Sequence, residues 1–318
     1  MAPSVGRLRR LAEELTEAGL EVDGPVGDVL VEEVDHALRP PVHERRVSSS
    51  GTILHPTTDP ATWEAGTALA FARSPTGDQP LDAARRFADG LSSWLVRFSG
   101  GSTEWLVFNR TAGSERDLGV IARVMGATIV QRHPAGLVRI VGAVGVLRWD
   151  GYRWHHEPPL ERWIDVVRAD GAPHAADVLR PLLEFAVHDL GANGIGALLI
   201  YRGDGSPAPD FEQRLPLPPQ LRIDRPAHLA PLRHALAQLD GAAVFDARGV
   251  LRQLGVRLVP SGGAEESVDG YKGTRHTSGL RYSFDDPLSL VIAVSEDGPV
   301  SVFRNGAILG RSAPDPTS

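Results

Sequence analysis

The stretch Gly273-Thr-Arg-His-Thr-Ser-Gly279 places a guanidinium, an imidazole and three hydroxyls between two glycines. That composition suits phosphate. Arginine presents a fixed fork of donors to phosphate oxygens, hydroxyls add further donors, and glycine lets a ligand approach the backbone. Taken alone, the same string also describes the solvated first turn of an ordinary helix. A second string lies upstream, Leu239-Asp-Gly-Ala-Ala-Val-Phe-Asp246. Alone, its Asp240-Gly241 step reads as a helix-to-strand turn. The elements around these two strings are the ones that must bring them together.

Other residues with chemical potential read as structural. Trp149, Tyr152, Trp154, His155 and His156 crowd one region. Adjacent histidines on a strand point to opposite faces, which argues against shared metal ligation, and the aromatics are expected to pack on a core. Asp285-Asp286 before Pro287 reads as a capped turn rather than a metal pair, and His188 and His234 as ordinary helix residues. Gly191-Ala-Asn-Gly-Ile-Gly196 has the glycines of a dinucleotide loop in the wrong order. That motif follows a strand and opens a helix, whereas here a helix ends and a strand begins.

Composition removes several classes. The 318 residues contain no cysteine, which excludes disulfides, thiolate metal sites and cysteine nucleophiles. A net charge of -7 and a pI near 5.9 argue against wrapping nucleic acid through bulk charge, while leaving room for a local nucleotide pocket. No run of about 18 apolar residues is present, so no membrane span is expected. The first ten residues lead into no signal-peptide core, so a cytoplasmic location is expected.

Length and patterning suggest two domains of mixed α and β structure. The first, 1–170, reads as α+β with an antiparallel sheet. Leu8, Leu11, Ala12 and Leu15 hold helical spacing up to Gly19. Residues 24–80 show no clear pattern, and Asp28–Val34 fits either a strand or a helical turn. Trp94–Phe98 and Glu104–Phe108 flank Ser-Gly-Gly-Ser-Thr as a hairpin, and Ser114 to Asp117 resembles a capping box. A helix over 161–167 precedes the composition break Arg168-Ala-Asp-Gly-Ala-Pro173, where the boundary is placed. The second domain, 171–311, follows with a helix over 177–190, a strand at Ala197–Tyr201, a helix up to Leu239 and a strand at Ala243–Phe245. A return strand over 250–259, a flexible loop over 260–272, a helix opened by the Gly273 string and apolar strands after Leu288 complete it. Residues 312–318 read as a disordered tail.

In that order and over that length, Gly-Ile-Gly-Ala-Leu-Leu-Ile, Asp-Gly-Ala, Gly-Thr-Arg-His and Val-Ser-Glu-Asp-Gly resemble the diadenylate cyclase domain, from Asp177 to Gly306. The resemblance implies a mixed central sheet flanked by helices. It also implies condensation of two ATP molecules into cyclic di-AMP with release of two pyrophosphates. Asp240, Gly241, Ala242, Arg275 and His276 match the family's catalytic motifs, with Asp240 at the ribose 3′-hydroxyl. Gly273, Thr274, Thr277, Ser278 and Ser295 would line the ATP site. Asp240 and Glu296 would hold Mg²⁺ or Mn²⁺, hard ions suited to oxygen ligands and triphosphate. The chemistry implies a homo-oligomer with facing sites. The second motif here is Arg-His-Thr where the family carries Arg-His-Arg, so Thr277 brings no second guanidinium. Arg281 and Lys272 are the nearby cations that could stand in. The departure also admits a binding module for ATP or cyclic di-AMP without turnover. The first domain resembles nothing in the same way. Its position implies a regulatory role with a small-molecule effector.

Overall fold

The computed structural model describes residues 4–44, 46–171, 176–204, 211, 215, 217–271 and 273–312. The chain divides into two units, Met1–Pro159 and Leu160–Ser318. This division falls one helix earlier than the composition break at 168–173. Leu160–Ala169 (α4) supplies Trp163, Ile164 and Val167 to the same apolar cluster as Val178, Leu179 and Leu182 of the second unit.

The first unit is built on a sheet of eight strands, with a separate two-stranded pair, Val42–His43 and Arg46–Val47, before it. The eight are Ser50–Leu54 (β1), Phe71–Pro75 (β2), Ser93–Arg97 (β3), Thr103–Phe108 (β4), Thr128–Arg132 (β5), Val138–Gly142 (β6), Gly145–Trp149 (β7) and Trp154–Glu157 (β8). Their order across the sheet is β8-β7-β6-β5-β1-β3-β4-β2. The expected antiparallel sheet is therefore mixed, because β1 pairs β3 in parallel, Thr52 opposite Leu95. Val5–Glu17 (α1) and Gly24–Leu38 (α2) cover one face through Leu11, Leu15, Leu30, Val31 and Val34. Glu115–Met125 (α3) covers the other through Leu118, Ile121 and Met125, packed on Trp63, Ile53 and Trp94. α2 settles the ambiguity at 28–34 in favour of helix: the apolar residues there face one sheet, a tertiary fact the local pattern does not carry. The capping box at Ser114 is present as read, with Asp117 reciprocating.

Charges are buried inside this unit. Glu33, 1% exposed, accepts from Arg85 Nη2 at 2.7 Å, from Thr52 Oγ1 at 2.9 Å, and from Arg97. Burial alone would raise the Glu33 pKa, but Arg85 and then Arg97 outweigh it and hold the carboxyl below its usual range. Arg148 grips Glu115 with two bonds, 2.7 and 2.6 Å. His155 pairs with Asp150 at 2.7 Å and His156 with the Val144 carbonyl at 2.8 Å, so the neighbouring histidines are locally satisfied.

The second unit carries Ala197–Tyr201 (β9), Ala242–Phe245 (β10), Leu251–Val256 (β11), Leu290–Val294 (β12), Val300–Arg304 (β13) and Ala307–Arg311 (β14), ordered β11-β10-β9-β12-β13-β14. β9 and β10 are parallel and every other pair is antiparallel, so the sheet is mixed as the resemblance implies. One face packs on α4, on Ala176–Glu184 (α5) with its π-helical continuation Phe185–Leu190, and on Pro226–Leu236 (α6). The segment 260–272 is not all loop: Gly262–Ser267 (α7) is helical, capped by Ser261. Thr274–Asp285 (α8) covers the opposite face through Leu280 and Tyr282. Ser312, expected as the first residue of the tail, is instead held in the fold, accepting from the Val300 amide at 2.8 Å; residues 313–318 lie outside the described residues.

Candidate functional site

Four chain segments converge at one end of the second sheet because of strand direction. β9 and β10 run parallel with Leu198 opposite Ala242, so Gly196 and Asp240, each two residues earlier, stand at neighbouring strand starts. β12 runs the other way, with Ala197 opposite Val294, so Ser295 and Glu296 leave it at that same end. The first turn of α8 delivers Arg275 there. Its Nη1 lies 3.7 Å from Glu296 Oε1, with the two side chains 31% and 75% exposed. A Cβ added to Gly196 would fall 2.2 Å from Arg275 Nη1 and 2.9 Å from Glu296 Cγ, so the missing side chain is the space the pair occupies.

Asp240 is exposed, and its carboxylate has no hydrogen-bond or ion-pair partner among the described residues. Gly241 after it has φ +102°, and a Cβ there would strike Gly255 C at 2.6 Å and Val256 O at 2.8 Å. Both the backbone conformation and the space therefore demand glycine. Ala242 is fully buried as the first residue of β10. At the head of α8, Gly273 has φ +117° and provides no side-chain cap. A helix N-terminus without a side-chain cap turns its positive dipole end and its first-turn donors outward. Thr274 is exposed as the first helical residue, Ser278 is half-buried, and Ser295 is half-buried with its amide bonded to the Pro299 carbonyl at 2.9 Å.

Not all the residues read from the motifs face this end. His276, 6% exposed, lies edge-on to Tyr271 and Phe303, ring centroids 6.0 and 6.1 Å apart. Thr277 Oγ1 accepts from the Tyr271 amide at 2.9 Å and donates to the Tyr271 carbonyl at 3.0 Å. Arg281 donates to the Val268 carbonyl at 3.2 Å and lies 3.8 Å from Glu265, so it is engaged away from Arg275. Lys272 lies outside the described residues. Asp285 caps the Ser261 turn and Asp286 accepts from Arg202 and from Tyr282 Oη, so that pair is structural. Burial and the bond to Asp286 hold the Tyr282 phenol above its usual range. Among the described residues no group of three or more His, Asp or Glu could hold a metal by itself.

Two neighbours escape a motif reading. Gly196 shapes the gap for Arg275, and its signal is the glycine pair ahead of β9. Arg257 directly follows the Gly255–Val256 peptide on which Gly241 packs, and it has no ion-pair partner among the described residues. Its signal is a basic residue closing the hairpin that begins at Asp240.

Residues 184–308 match the family model "DisA bacterial checkpoint controller nucleotide-binding" (DAC), and residues 9–157 match "Probable sensor domain DACNK". No curated protein sequence matches the chain. Among solved structures, a hypothetical membrane spanning protein from Bacillus cereus is 18% identical with a TM-score of 0.34, covering 46% of this chain and 69% of its own. DacA from Staphylococcus aureus is 16% identical with a TM-score of 0.28, covering 48% of this chain and 90% of its own.

Proposed function

We propose that the second unit, whose residues 184–308 match the DAC nucleotide-binding model behind a probable DACNK sensor domain, condenses two ATP molecules into cyclic di-AMP. The supporting observation is the convergence of an unpartnered Asp240 with Arg275, Ser295 and the uncapped head of α8 at one sheet end. Arg275 and the helix head hold the triphosphate, where charge-assisted bonds are strongest. Asp240 draws the proton of a ribose 3′-hydroxyl as its oxygen bonds the α-phosphorus of a second ATP. The bond from that phosphorus to the β-phosphate bridging oxygen breaks, and pyrophosphate carries away the electron pair. Repetition in the opposite sense closes the ring. One unit holds one ATP, so two copies must face each other, and a homo-oligomer is part of this reading.

A divalent ion, Mg²⁺ or Mn²⁺, fits the donor set in a limited way. Such ions commonly use one or two carboxylates and complete their shell with substrate phosphate oxygens and water. Asp240 has no partner among the described residues, and Glu296 has only the long, exposed contact to Arg275, so either carboxylate can take that role. Bound there, the ion would stabilise charge on the triphosphate and acidify the attacking hydroxyl. With ATP as substrate, the proposed reaction is a cytoplasmic one. No helix among the described residues is long and apolar enough to cross a membrane. The first unit is read as the regulatory part, responding to a small-molecule effector.

A second reading has its own observation. Thr277 stands where the family carries arginine and spends its hydroxyl on Tyr271. A domain that binds ATP or cyclic di-AMP without turnover follows from that loss. Incubating the purified chain with ATP and Mn²⁺ or Mg²⁺, then resolving the products by chromatography, separates the two. Cyclic di-AMP supports the cyclase. ATP bound but unconverted under both metals refutes it in favour of the binding module.

A further inference from the structure

Thr277 is the fourth residue of α8, and its backbone amide closes the first helical turn on the Gly273 carbonyl at 2.9 Å. Its side chain reaches further back. One hydroxyl both accepts from the Tyr271 amide and donates to the Tyr271 carbonyl, so the two peptide groups flanking this residue are bound at a single point. The Tyr271 ring is fixed from another side, edge-on to His276 and Phe303 with centroids 6.0 Å away in both cases. His276 is the immediate neighbour of Arg275. The chain entering α8 is thus pinned at Tyr271 by a polar staple and a three-ring cluster.

That staple answers a problem posed by Gly273. Most helices stabilise their first turn with a capping side chain, which also consumes one or more amide donors. Gly273 supplies none. A hydrophobic contact between the residue before the cap and the fourth helical residue is one alternative that fixes the path of the chain. Here the contact runs from the second residue before the cap and is made of hydrogen bonds. It holds the first turn in place and takes no donor from it.

We propose that Thr277 is a positioning residue for the nucleotide phosphates: it fastens Tyr271 to α8, and so holds the uncapped helix head and Arg275 in a phosphate-ready arrangement without touching the nucleotide. This rests on the nucleotide reading of the site. It assigns the position a role different from that of an arginine, which would reach outward with its guanidinium.

Three full-length variants test it. Thr277→Val keeps the branched shape and loses both hydrogen bonds, Thr277→Ser keeps the hydroxyl, and Thr277→Arg installs a guanidinium. ATP affinity is measured by calorimetry with a non-hydrolysable analogue, and kcat and KM are measured where product forms. Thr277→Val is expected to raise Kd and KM about tenfold, the scale of one to two lost hydrogen bonds, with kcat changed less. Thr277→Ser is expected to stay within about twofold. Thr277→Arg is expected to weaken binding, as Thr277→Val does. Amide exchange at Tyr271 should quicken in Thr277→Val and not in Thr277→Ser. An unchanged Kd in Thr277→Val, equal impairment of Val and Ser, or tighter binding in Thr277→Arg overturns the inference. Failure of the unmodified chain to bind the analogue instead overturns the nucleotide reading on which it rests. An unmodified chain that binds without turnover defeats the cyclase reading alone, and the Kd series still decides the role of Thr277.

Discussion

Glu33 in the first unit and Glu296 in the second each face arginine, yet they do opposite work. Glu33 is 1% exposed and is bonded by Arg85, Arg97 and Thr52 at hydrogen-bond distance. Glu296 is 75% exposed and meets Arg275 at 3.7 Å, beyond a good hydrogen bond. Removing one partner of a buried network strands the others in low dielectric, so the first arrangement locks a fold. An exposed, long pair is worth little and is easily exchanged for a better anion. The first unit thus closes its charges inside, while the second leaves Asp240, Arg275 and Glu296 at an open sheet end. A carboxylate closed into the fold and one left open to a ligand are told apart by burial and by how many donors already hold them.

The sharpest test of the open end is Asp240→Asn, which keeps shape and removes the base. Product formation should fall by about 10²–10⁴-fold with thermal stability unchanged; retained turnover would show that the exposed carboxylate is idle. On the closed side, Glu33→Ala leaves Arg85 and Arg97 buried without their anion. Denaturant unfolding should then show a loss of about 3–5 kcal/mol in the first unit's transition, with ATP binding by the second unit intact. A loss below 1 kcal/mol would make Glu33 no different from a surface acid.

A smaller effect is expected from Gly196→Ala. The new methyl takes the space of Arg275 and Glu296 and displaces both. Arg275 is a flexible side chain, so the fold should persist while kcat/KM drops about 10- to 100-fold through misplacement. Normal kinetics would mean that the Arg275 position seen here is not the working one. The mildest effect concerns pH. Burial first, and then Arg85, hold the His36 imidazole below its ordinary value of 6.5, against the opposing pull of Glu33, Asp82 and Asp35. Burial also lowers His55 and His133. Each is favoured neutral in the folded state, so the unfolded chain takes up the proton first as pH falls. The first unit should be fully stable above pH 6.5 and lose stability progressively below it. A thermal-unfolding series from pH 7.5 to about pH 5.5 checks the sign, and His36→Gln should flatten the slope.

Much of the second unit could be read along the chain. β9 and β12 are short apolar runs, α8 opens at Gly273, and the two motifs fall at element ends where exposed chemistry resides. The first unit was less legible. Residues 24–80 contain a full helix and two strands of the eight-stranded sheet, but α2 buries Glu33 and Asp35 along with Val31 and Val34, which blurs the helical pattern. Glu33 is held by arginines more than 50 positions away, Arg85 and Arg97, and no local window contains both partners. The boundary was displaced for the same reason. The Arg168–Pro173 break is a real change in composition, yet α4 before it completes the apolar cover of the second sheet.

The sequence by itself determined which residues are candidates for the site and in what order they occur. Asp240-Gly241-Ala242, Arg275 and Ser295-Glu296 were identified by residue type and by resemblance, and glycine at 241 was already in the motif. Only the tertiary structure decided which of them face outward together. Strand direction brought Gly196, Asp240 and Glu296 to one end, since a parallel neighbour aligns strand starts and an antiparallel one contributes its finish. Helical phase separated Arg275 from His276 and Thr277, because successive residues on a helix turn by about 100° and cannot all face one ligand. The Gly273–Gly279 string, a single phosphate grip by composition, therefore divides in space, with Arg275 at the open end and Thr277 fastened to the loop behind it.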